Sequence, residues 1–522
     1  MENFDYDLQS VQEARNLARL GKIATDKLAD YTEEQIDRIL QNMVRVAEEN
    51  AVMLAKMAVE ETGFGKVEDK TFKNHMASTI VYNYIKDMKC AGIIHEDPVN
   101  KVMEVADPVG LIMGIVPSTN PTSTAIYKSM IAIKARNAIV FSPHPSALQC
   151  TLKAATLMCD AAVAAGAPEN VIGCLSMPSM GATDELMKCK ETSMIIATGG
   201  PGMVKAAYSA GKPALGVGAG NSPSYIERTA DVHQSVMDIL ASKTFDNGTI
   251  CASEQSVICE ECNRDQVIAE FKKQGGYFMT AEETAKVCNL LFKNGGHSMS
   301  AKFVGRSAQV IATAAGISIP DGTRVLIGEQ QGVGDGYPLS YEKLTTVLAF
   351  YTVRDWHEAC ELSIKLLQNG IGHTMNIHTN DPQIVREFSR KPASRILVNT
   401  GGSQGGTGAS TALAPAFTLG CGTWGGSATS ENVTPMNLVN IKKVVYGLKD
   451  VTTLAQSDPT FRPDFGCCRG SNAAGAQPSP MQFSGSCNCT TGNQGLPAQD
   501  GIDGKQLLEL VNELVNAMKG GN

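Results

Sequence analysis

The residue best suited to covalent chemistry is Cys251, in the segment FDNGTICASEQ at residues 245–255. A Gly-containing turn before the cysteine and a predicted strand after it would hold the thiol exposed at a domain boundary. A planar carbonyl carbon is a poor hydride donor, so oxidation of an aldehyde needs a nucleophile that first makes that carbon tetrahedral. Cys251 is one of fifteen cysteines, and simple packing in a core is the alternative interpretation.

A second segment, GIVPSTNPTST at residues 114–124, places Asn120 in a turn bracketed by prolines at the end of a predicted strand. An amide NH2 at the rim of a sheet can donate to a developing oxyanion, and loss of such a donor typically costs on the order of 10²–10³ in rate. Asn and Pro are also common in ordinary turns, so a structural turn stays open as an interpretation.

The third segment is IIATGGPGMVKAA at residues 195–207. A predicted strand runs into a Gly-rich turn and then a helix, an arrangement that can present backbone N–H groups to a pyrophosphate. The turn does not match GxGxxG, so a plain strand-to-helix connection is an equal alternative.

The elements that would position these residues follow an alternating pattern. Residues 9–95 are predicted to be helical, and from about residue 101 strands alternate with helices. Such alternation predicts parallel βαβ units that bind ligands at the carboxyl ends of their strands. The predicted strands lie at residues 102–105, 110–117, 138–142, 171–175, 194–197, 255–259, 324–327, 346–352 and 396–399.

Composition sets the broad class. The chain has 522 residues, more than one core normally holds, so two or more domains are expected. Hydrophobic residues make up 43% and charged residues 19%, as in a soluble globular enzyme. The net charge of −8 and the absence of a long basic run argue against nucleic acid or an anionic membrane as partners.

The same sequence predicts a cytoplasmic location. No apolar run reaches the roughly 20 residues of a membrane span, and the N-terminus lacks a signal-peptide core. The fifteen cysteines are dispersed and odd in number, which favours reduced thiols. Cys259 and Cys262 have metal-ligand spacing but lack a second Cys/His pair, so no metal site is predicted.

The C-terminal part has a different composition. Residues 466–500 are rich in small and polar residues and are predicted to be a flexible linker. Residues 501–522 then form an amphipathic pattern. A helix of about 15 residues is not stable alone and needs a partner groove. Docking on its own subunit is the alternative. The apolar face would comprise Leu507, Leu510, Val511, Leu514, Val515 and Met518.

Taken together, the segments resemble the aldehyde dehydrogenase superfamily, and more closely its CoA-acylating branch, over residues 5–455. That branch includes one half of the bifunctional aldehyde–alcohol dehydrogenases and the propionaldehyde and acetaldehyde dehydrogenases of bacterial microcompartments. The resemblance lies in VPSTNPTSTAIYKSM, NAIVFSPHPSA, ATGGPGMVKAAYSAGKPALGVGAGNSP, FDNGTICASEQ, GIGHTMNIHT and TLGCGTWGGSATSENV.

The resemblance implies an α/β fold with two Rossmann-like domains and an oligomerisation hairpin. Residues 1–223 would bind the dinucleotide and include the hairpin at about residues 99–107. Residues 224–425 would form the catalytic domain that carries the nucleophile. Residues 426–458 would return to the oligomerisation region, where a strand near residues 441–445 pairs with the hairpin. A homodimer or a dimer of dimers is implied.

By the same resemblance, Cys251 is the nucleophile, and Asn120 donates to the oxyanion together with the backbone N–H of Cys251. His373, in GIGHTMN, is a candidate base, with a packed structural histidine as the alternative. The resemblance also implies cofactor-binding residues. Those facing the dinucleotide phosphates are Thr198, Gly199 and Gly200. Those beside the adenosine ribose are Ser142, Pro143 and His144, and Glu342 holds the nicotinamide ribose.

One departure bears on the product. Hydrolytic relatives carry a glutamate where this chain has GVGAGNSP at residues 216–223, and no carboxylate lies between Gly211 and Tyr225. Water attack on a thioester needs a general base, whereas the thiol of CoA is more acidic and more nucleophilic. The sequence therefore favours acyl-CoA over a free acid.

The expected activity is oxidation of a short-chain aldehyde, propionaldehyde or acetaldehyde, with NAD and CoA. NADP is not excluded, because SPHPS at residues 142–146 contains no acidic residue. A hydrolytic aldehyde dehydrogenase and a non-catalytic microcompartment scaffold are the alternatives. The C-terminal helix resembles encapsulation peptides, which implies shell proteins as partners and a location inside a bacterial microcompartment.

Overall fold

The computed structural model describes residues 5–293, 298–458 and 460–461. The chain divides into two compact units, Met1–Leu448 and Lys449–Asn522. In the second unit a helix at Val451–Ser457 is capped by Asp450, which accepts a hydrogen bond from the Thr453 N–H. The predicted linker and the predicted C-terminal helix lie outside the described residues. Among the described helices, none combines the length and apolar character that spanning a lipid bilayer requires.

The first unit begins with a helical layer. Thr32 and Gln35 form a capping box at the start of the longest helix, whose buried face includes Ile36, Leu40 and Met43. The helical prediction for residues 9–95 is wrong at its end, because Gly92–Asp97 is a strand that pairs with a neighbouring strand. The helices of this layer are Tyr6–Leu28, Glu33–Thr62, Val67–His75, the π-helical Met76–Ile80 and Val81–Ile85.

A five-stranded parallel sheet follows. Its central strand, LIMGIV, is buried along its whole length, as expected for a parallel strand covered on both faces. The spatial order of the strands is Ile172–Cys174, Ile139–Pro143, Leu111–Val116, Thr192–Thr198 and Ala214–Val217. The accompanying helices are Pro121–Lys134, Leu148–Ala164, Met180–Lys188 and Pro201–Tyr208.

This strand order creates a crevice. The chain builds one side of the sheet after Leu111–Val116 and then crosses to build the other side from Thr192–Thr198. The connections at the carboxyl ends of these two strands therefore diverge, and ligands bind at such a point in open α/β sheets.

The first unit also contains a seven-stranded parallel sheet. Its strands, in spatial order, are Gly276–Phe278, Val325–Glu329, Val347–Val353, Glu254–Glu260, Ser222–Ile226, Gly372–His378 and Ala393–Val398. Its helices are Val232–Thr244, Arg264–Lys273, Ala281–Leu291, Ala308–Ala315, Trp356–Leu367, Pro382–Phe388 and Gly402–Gly406. The predicted α/β class with parallel sheets is confirmed.

The first unit also contains several short elements. Phe292–Lys293 pairs with Ser298–Met299 in a short ladder. The 3₁₀ helices lie at Pro145–Ala147, Phe245–Gly248, Ala301–Phe303, Pro338–Ser340, Gln368–Gly370, Thr423–Gly425 and Pro435–Leu438.

A third, antiparallel sheet joins distant parts of the chain. Gly92–Asp97 pairs with Val102–Pro108, which pairs in turn with Val439–Val445. The sheet leaves apolar side chains in solvent, including Val444 and Val445, which are 41% and 64% exposed. Exposed apolar surface on a sheet is typical of an interaction site. The oligomerisation role of this region stays a prediction.

Candidate active site

A cavity of about 370 Å³ opens at the carboxyl ends of the five-stranded sheet and reaches residues at the amino ends of the seven-stranded sheet. Nine of the ten residues predicted for the site line this cavity. The tenth, His373, does not line it but contacts Cys251. The nine lining residues are Asn120, Ser142, Pro143, His144, Thr198, Gly199, Gly200, Cys251 and Glu342.

The thiol and the imidazole are in direct contact. His373 Nε2 lies 3.1 Å from Cys251 Sγ. Cys251 precedes the strand Glu254–Glu260, and His373 lies near the start of Gly372–His378, two strands away in the same sheet. His373 is completely buried. The sequence leaves open whether this histidine only packs in the core, and the structure brings it to the predicted nucleophile.

Both members of this pair are uncharged at neutral pH. Burial raises the pKa of the Cys251 thiol to about 12, with further contributions from Glu342 and Cys421. Burial, together with the Arg395 guanidinium, lowers the pKa of His373 well below its usual value. If Cys251 acts as the predicted nucleophile, its thiol must therefore lose its proton as it attacks, and the neutral imidazole is the acceptor within reach.

Arg395 and Thr374 orient the imidazole. His373 Nδ1 lies 2.8 Å from Thr374 Oγ1, which also accepts a hydrogen bond from Arg395 Nε at 3.2 Å. Arg395 Nη2 donates to the His373 carbonyl at 3.0 Å. A hydroxyl oxygen has two lone pairs, so it can accept from both donors. With the proton on Nδ1, Nε2 keeps its lone pair toward the thiol.

A left-handed turn presents Cys251. Asp246 and Asn247 have φ values of 49° and 52°, and Gly248 follows at 78°. Non-Gly residues adopt this conformation only where their surroundings enforce it. The buried Asp246 carboxylate supplies that enforcement, because its Oδ1 accepts from the Lys66 N–H at 2.8 Å and its Oδ2 from Thr249 Oγ1 at 2.7 Å.

Two lysines complete the surroundings of Asp246. Lys70 Nζ and Lys73 Nζ lie 2.9 and 2.5 Å from Asp246 Oδ2. Both come from the helix Val67–His75, and both are almost completely buried. Gly65 makes room for the carboxylate, since a Cβ there would lie 1.8 Å from Asp246 Oδ1. Sequence reasoning missed these lysines because a charged residue in a helix normally faces solvent.

Asn120 stands at the N-cap of Pro121–Lys134, where the strand-end turn meets the helix. Its Oδ1 accepts a hydrogen bond from Lys73 Nζ at 2.6 Å. Its Nδ2 donates to Thr249 O at 3.3 Å and to Thr119 Oγ1 at 3.2 Å. These two contacts are long for hydrogen bonds, so the NH2 group can turn toward a stronger acceptor in the cavity.

The Gly-rich turn offers space rather than side chains. Gly199 and Gly200 connect the strand Thr192–Thr198 to the helix Pro201–Tyr208, and a Cβ on either glycine would meet no atom within 4 Å. A diphosphate can therefore approach the backbone N–H groups at a helix N-terminus. The chemistry and the open space of this turn fit a dinucleotide.

Ser142, Pro143 and His144 extend the cavity along the next strand. Ser142 is buried, with its hydroxyl 2.9 Å from Thr183 Oγ1, and His144 is exposed. The cavity's described lining contains neither Lys nor Arg.

Glu342 is the one acidic residue among the described residues that line the cavity. Its Oε1 accepts a hydrogen bond from the Gly220 N–H at 2.9 Å. Burial raises the pKa of this carboxyl to about 7, although the hydrogen bond from Gly220 acts in the opposite direction. Glu342 can therefore change its charge near neutral pH.

The segment at residues 216–223 packs against the nucleophile. Val217 and Gly218 line the cavity. Gly220 lies so close to the nucleophile loop that a Cβ on it would be 1.9 Å from the Cys251 carbonyl oxygen. This packing leaves no space for a side chain at Gly220 and fixes the backbone of Cys251.

Outside the cavity, the Cys259/Cys262 pair is divided between core and surface, with Cys259 buried and Cys262 exposed. Within the described ranges, no group of three or more His, Cys, Asp or Glu side chains is arranged to hold a metal ion.

The sequence matches known proteins. The aldehyde dehydrogenase family matches residues 5–280. Bifunctional aldehyde-alcohol dehydrogenase AdhE of Escherichia coli K12 is 48% identical over 442 residues, which are 83% of this chain and 49% of that protein. The chain thus spans about half the length of that relative. Succinate-semialdehyde dehydrogenase (acetylating) of Clostridium kluyveri is 39% identical over 439 residues, 84% of this chain and 96% of that protein.

The fold matches solved structures. An acetylating aldehyde dehydrogenase from Geobacillus thermoglucosidasius has a TM-score of 0.84 and 53% identity, covering 86% of this chain and 99% of that one. Rhodopseudomonas palustris propionaldehyde dehydrogenase, with bound CoA and an acylated cysteine, has a TM-score of 0.76 and 27% identity, covering 83% and 97%. Propionaldehyde dehydrogenase from the Clostridium phytofermentans fucose utilisation bacterial microcompartment has a TM-score of 0.75 and 25% identity, covering 83% and 97%.

These matches agree with the motifs quoted from the sequence. The family match extends over more than half of the chain. The acetylating relative is matched over nearly its whole length at 39% identity, and the acetylating structure at 53%. The chain therefore belongs to the aldehyde dehydrogenase family.

Proposed function

We propose that this chain oxidises a short-chain aldehyde, propionaldehyde or acetaldehyde, with NAD and coenzyme A to the acyl-CoA, and that it also catalyses the reverse reaction. The observation that carries the proposal is the 3.1 Å contact between Cys251 Sγ and His373 Nε2 beside a cavity that Asn120 and the Gly199 turn share. The acetylating names of the matched relatives support the acyl-CoA product.

In the first step, the Cys251 thiol attacks the aldehyde carbon and its proton passes to His373 Nε2. The oxyanion that forms accepts hydrogen bonds from the Asn120 amide and from the backbone N–H of Cys251. Donors held close to a developing charge stabilise it strongly, and the long contacts of the Asn120 NH2 group with Thr119 and Thr249 leave it able to turn toward the oxyanion. The product of this step is a tetrahedral thiohemiacetal on Cys251.

A nicotinamide dinucleotide, when bound along the Gly199 turn, supplies the hydride acceptor. Glu342 would accept hydrogen bonds from the nicotinamide ribose, and Ser142, Pro143 and His144 would contact the adenosine ribose. We favour NAD over NADP, since the absence of Lys and Arg from the described lining leaves no cation for a 2′-phosphate.

Loss of a hydride converts the thiohemiacetal to an acyl-thioester on Cys251. The thiol of CoA then attacks the acyl carbon and loses its proton to solvent. The bond from that carbon to Cys251 Sγ breaks, the acyl-CoA leaves, and Cys251 takes its proton back from His373. Val217 and Gly218 line the cavity, and the resemblance to the family implies that hydrolytic relatives carry a glutamate in this segment. The similar structure with bound CoA and an acylated cysteine supports this route.

Glu342 favours a second candidate function, hydrolysis to the carboxylic acid. Its carboxyl has a pKa raised to about 7 by burial and faces the same cavity as Cys251. Such a group is suited to general-base catalysis near neutral pH. In the favoured function, its Oε1 stays bonded to the Gly220 N–H, and the carboxyl binds the nicotinamide ribose instead of activating water.

The deciding experiment measures NADH formation by the purified protein with C2, C3 and C4 aldehydes, with and without CoA. We expect continuous NADH and acyl-CoA formation with CoA, and a burst of at most one NADH per subunit without it. Cys251→Ala should abolish both while leaving the melting temperature unchanged. Continuous NADH formation without CoA, lost in Glu342→Gln, would establish hydrolysis instead. Inactivity with every aldehyde would favour the scaffold alternative.

For assembly, we propose a homodimer or dimer of dimers formed through the three-stranded sheet, in a cytoplasmic bacterial microcompartment. The origin of one similar structure in a microcompartment supports this location. Deletion of residues 466–522 should preserve activity and abolish co-localisation with shell proteins. Unchanged co-localisation would contradict the encapsulation role.

A further inference from the structure

Lys73 takes no part in the reaction steps above, yet its buried ammonium contacts the oxyanion donor. Its Nζ lies 2.6 Å from Asn120 Oδ1, 2.5 Å from Asp246 Oδ2 and 3.0 Å from Thr249 Oγ1. Lys73 is only 1% exposed. A lysine ammonium has three N–H donors, and here each has one acceptor.

The chemistry of the ammonium determines the orientation of the Asn120 amide. An ammonium donates hydrogen bonds and accepts none. The acceptor end of the amide must therefore face Lys73, and the NH2 end faces the cavity side, toward Thr249. A neutral side chain at this position that both donates and accepts would permit the opposite orientation, in which the amide oxygen would repel an oxyanion.

The contact also polarises the amide. A charge-assisted hydrogen bond to the amide oxygen draws electron density from the nitrogen, which makes the N–H groups stronger donors. Burial lowers the pKa of Lys73 to about 8, while Asp246 acts in the opposite direction, so the ammonium predominates at neutral pH.

Lys73 further connects the two turns of the site. Asn120 belongs to the turn after Leu111–Val116, whereas Asp246 and Thr249 belong to the turn before Cys251. The neighbouring Lys70 connects the same turns differently, because its Nζ lies 2.8 Å from Thr119 O and 2.9 Å from Asp246 Oδ2. Lys73 alone of the two contacts the Asn120 side chain.

We propose that Lys73 is a positioning residue that holds the Asn120 amide with its NH2 group toward the oxyanion formed on Cys251. The proposal rests on the proposed function, since it requires an oxyanion intermediate at this thiol. Lys73 acts through Asn120, and its contribution exists only while the Asn120 amide is present.

The test is a double-mutant cycle with Lys73→Met and Asn120→Ala, measured as kcat for CoA-dependent NADH formation. Lys73→Met should lower kcat by about 10- to 100-fold, because misplacement of a catalytic group by about 1 Å costs on the order of 10²-fold. Asn120→Ala should cost about 10²–10³-fold. The double variant should match Asn120→Ala alone within about threefold, with KM for NAD unchanged throughout.

Two controls separate positioning from folding. Lys70→Met removes the matched ion pair with Asp246, and Lys70 does not contact the Asn120 side chain. The fall in kcat caused by Lys70→Met should therefore multiply with the fall caused by Asn120→Ala. Alkylation of Cys251 by iodoacetamide in the folded protein needs no oxyanion donor. The alkylation rate, followed on the peptide that contains Cys251, should therefore be unchanged in Lys73→Met. If Lys73→Met does not fold, Lys73→Gln replaces it in the cycle, because the shorter glutamine amide both donates and accepts and no longer dictates the orientation of the Asn120 amide.

The outcomes distinguish the inference from the proposed function. If the unmodified protein makes no acyl-CoA, the proposed function fails. If the unmodified protein makes acyl-CoA, but the falls in kcat caused by Lys73→Met and Asn120→Ala multiply in the double variant, the positioning role of Lys73 is overturned and the proposed function stands. A fall in the Cys251 alkylation rate equal to the fall in kcat would also overturn it, because Lys73 would then act on the nucleophile loop.

Discussion

The two sides of the cavity are built differently. On the proposed cofactor side, Gly199 and Gly200 offer backbone and open space, with no atom within 4 Å of either Cβ position. On the proposed catalytic side, Cys251 is surrounded by side chains with defined partners, including His373. Binding of a flexible dinucleotide needs room and backbone donors, whereas thiol attack needs atoms fixed to within about 0.5 Å. Substitutions should therefore affect binding on one side and chemistry on the other.

The largest effect that would sharpen this comparison is expected for His373→Ala. General bases contribute about 10²–10⁴-fold, so kcat should fall in that range with little change in KM for NAD. The matched control is His378→Ala in the same strand, because His378 is equally buried and its Nε2 has no hydrogen-bond partner. Single-turnover formation of NADH measures the step directly. Equal losses in both variants would mean that His373 only packs in the core.

Gly220→Ala tests how tightly the catalytic side is packed. The new methyl would lie 1.9 Å from the Cys251 carbonyl oxygen, and that neighbour is backbone. Displacement of the nucleophile by about 1 Å should lower kcat about 10²-fold. Gly218→Ala, whose Cβ would meet no atom within 4 Å, is the control and should cost much less in kcat. Comparable kcat values would show that the loop accommodates the methyl.

Glu342→Gln tests the boundary between the two sides. Because the pKa of Glu342 is raised to about 7, its carboxyl is mostly protonated at pH 6 and ionised at pH 8. Ionised oxygens accept hydrogen bonds from ribose hydroxyls more strongly, so KM for NAD should fall several-fold from pH 6 to pH 8. This dependence should disappear in Glu342→Gln. Its persistence in the variant would assign the titration to another group.

The smallest effect is expected for Gly199→Ala. The position has open space and an ordinary φ, so the melting temperature and kcat should stay within experimental error. KM for NAD should rise a few-fold, because the methyl would occupy space that the diphosphate needs. A large fall in kcat at saturating NAD would contradict the division between binding and chemistry.

Local patterns made much of the fold predictable. The run LIMGIV was recognisable as a strand because a parallel strand buried on both faces is apolar throughout, and Thr192–Thr198 was recognisable from its shorter apolar run MIIA. Other strands were missed, among them Ser222–Ile226 and Gly372–His378, which contain Ser, Pro, Gly, His and Asn. Some of their polar side chains have partners in distant segments, such as His373 with Cys251 and Asn376 with Glu254, and sequence periodicity contains no record of such partners.

The sequence by itself predicted the nucleophile, the oxyanion donor and the cofactor turn, and it determined that no glutamate lies at residues 216–223. Each belongs to a short segment whose residue types suffice to recognise it. Only the tertiary structure decided that His373 contacts Cys251, 122 positions away in the sequence, and that Lys73 contacts Asn120, 47 positions away. The physical reason is that burial of a polar group costs free energy unless a partner compensates it. The partners of Cys251 and Asn120 come from distant segments, so they meet only when the two sheets and the helix Val67–His75 have assembled.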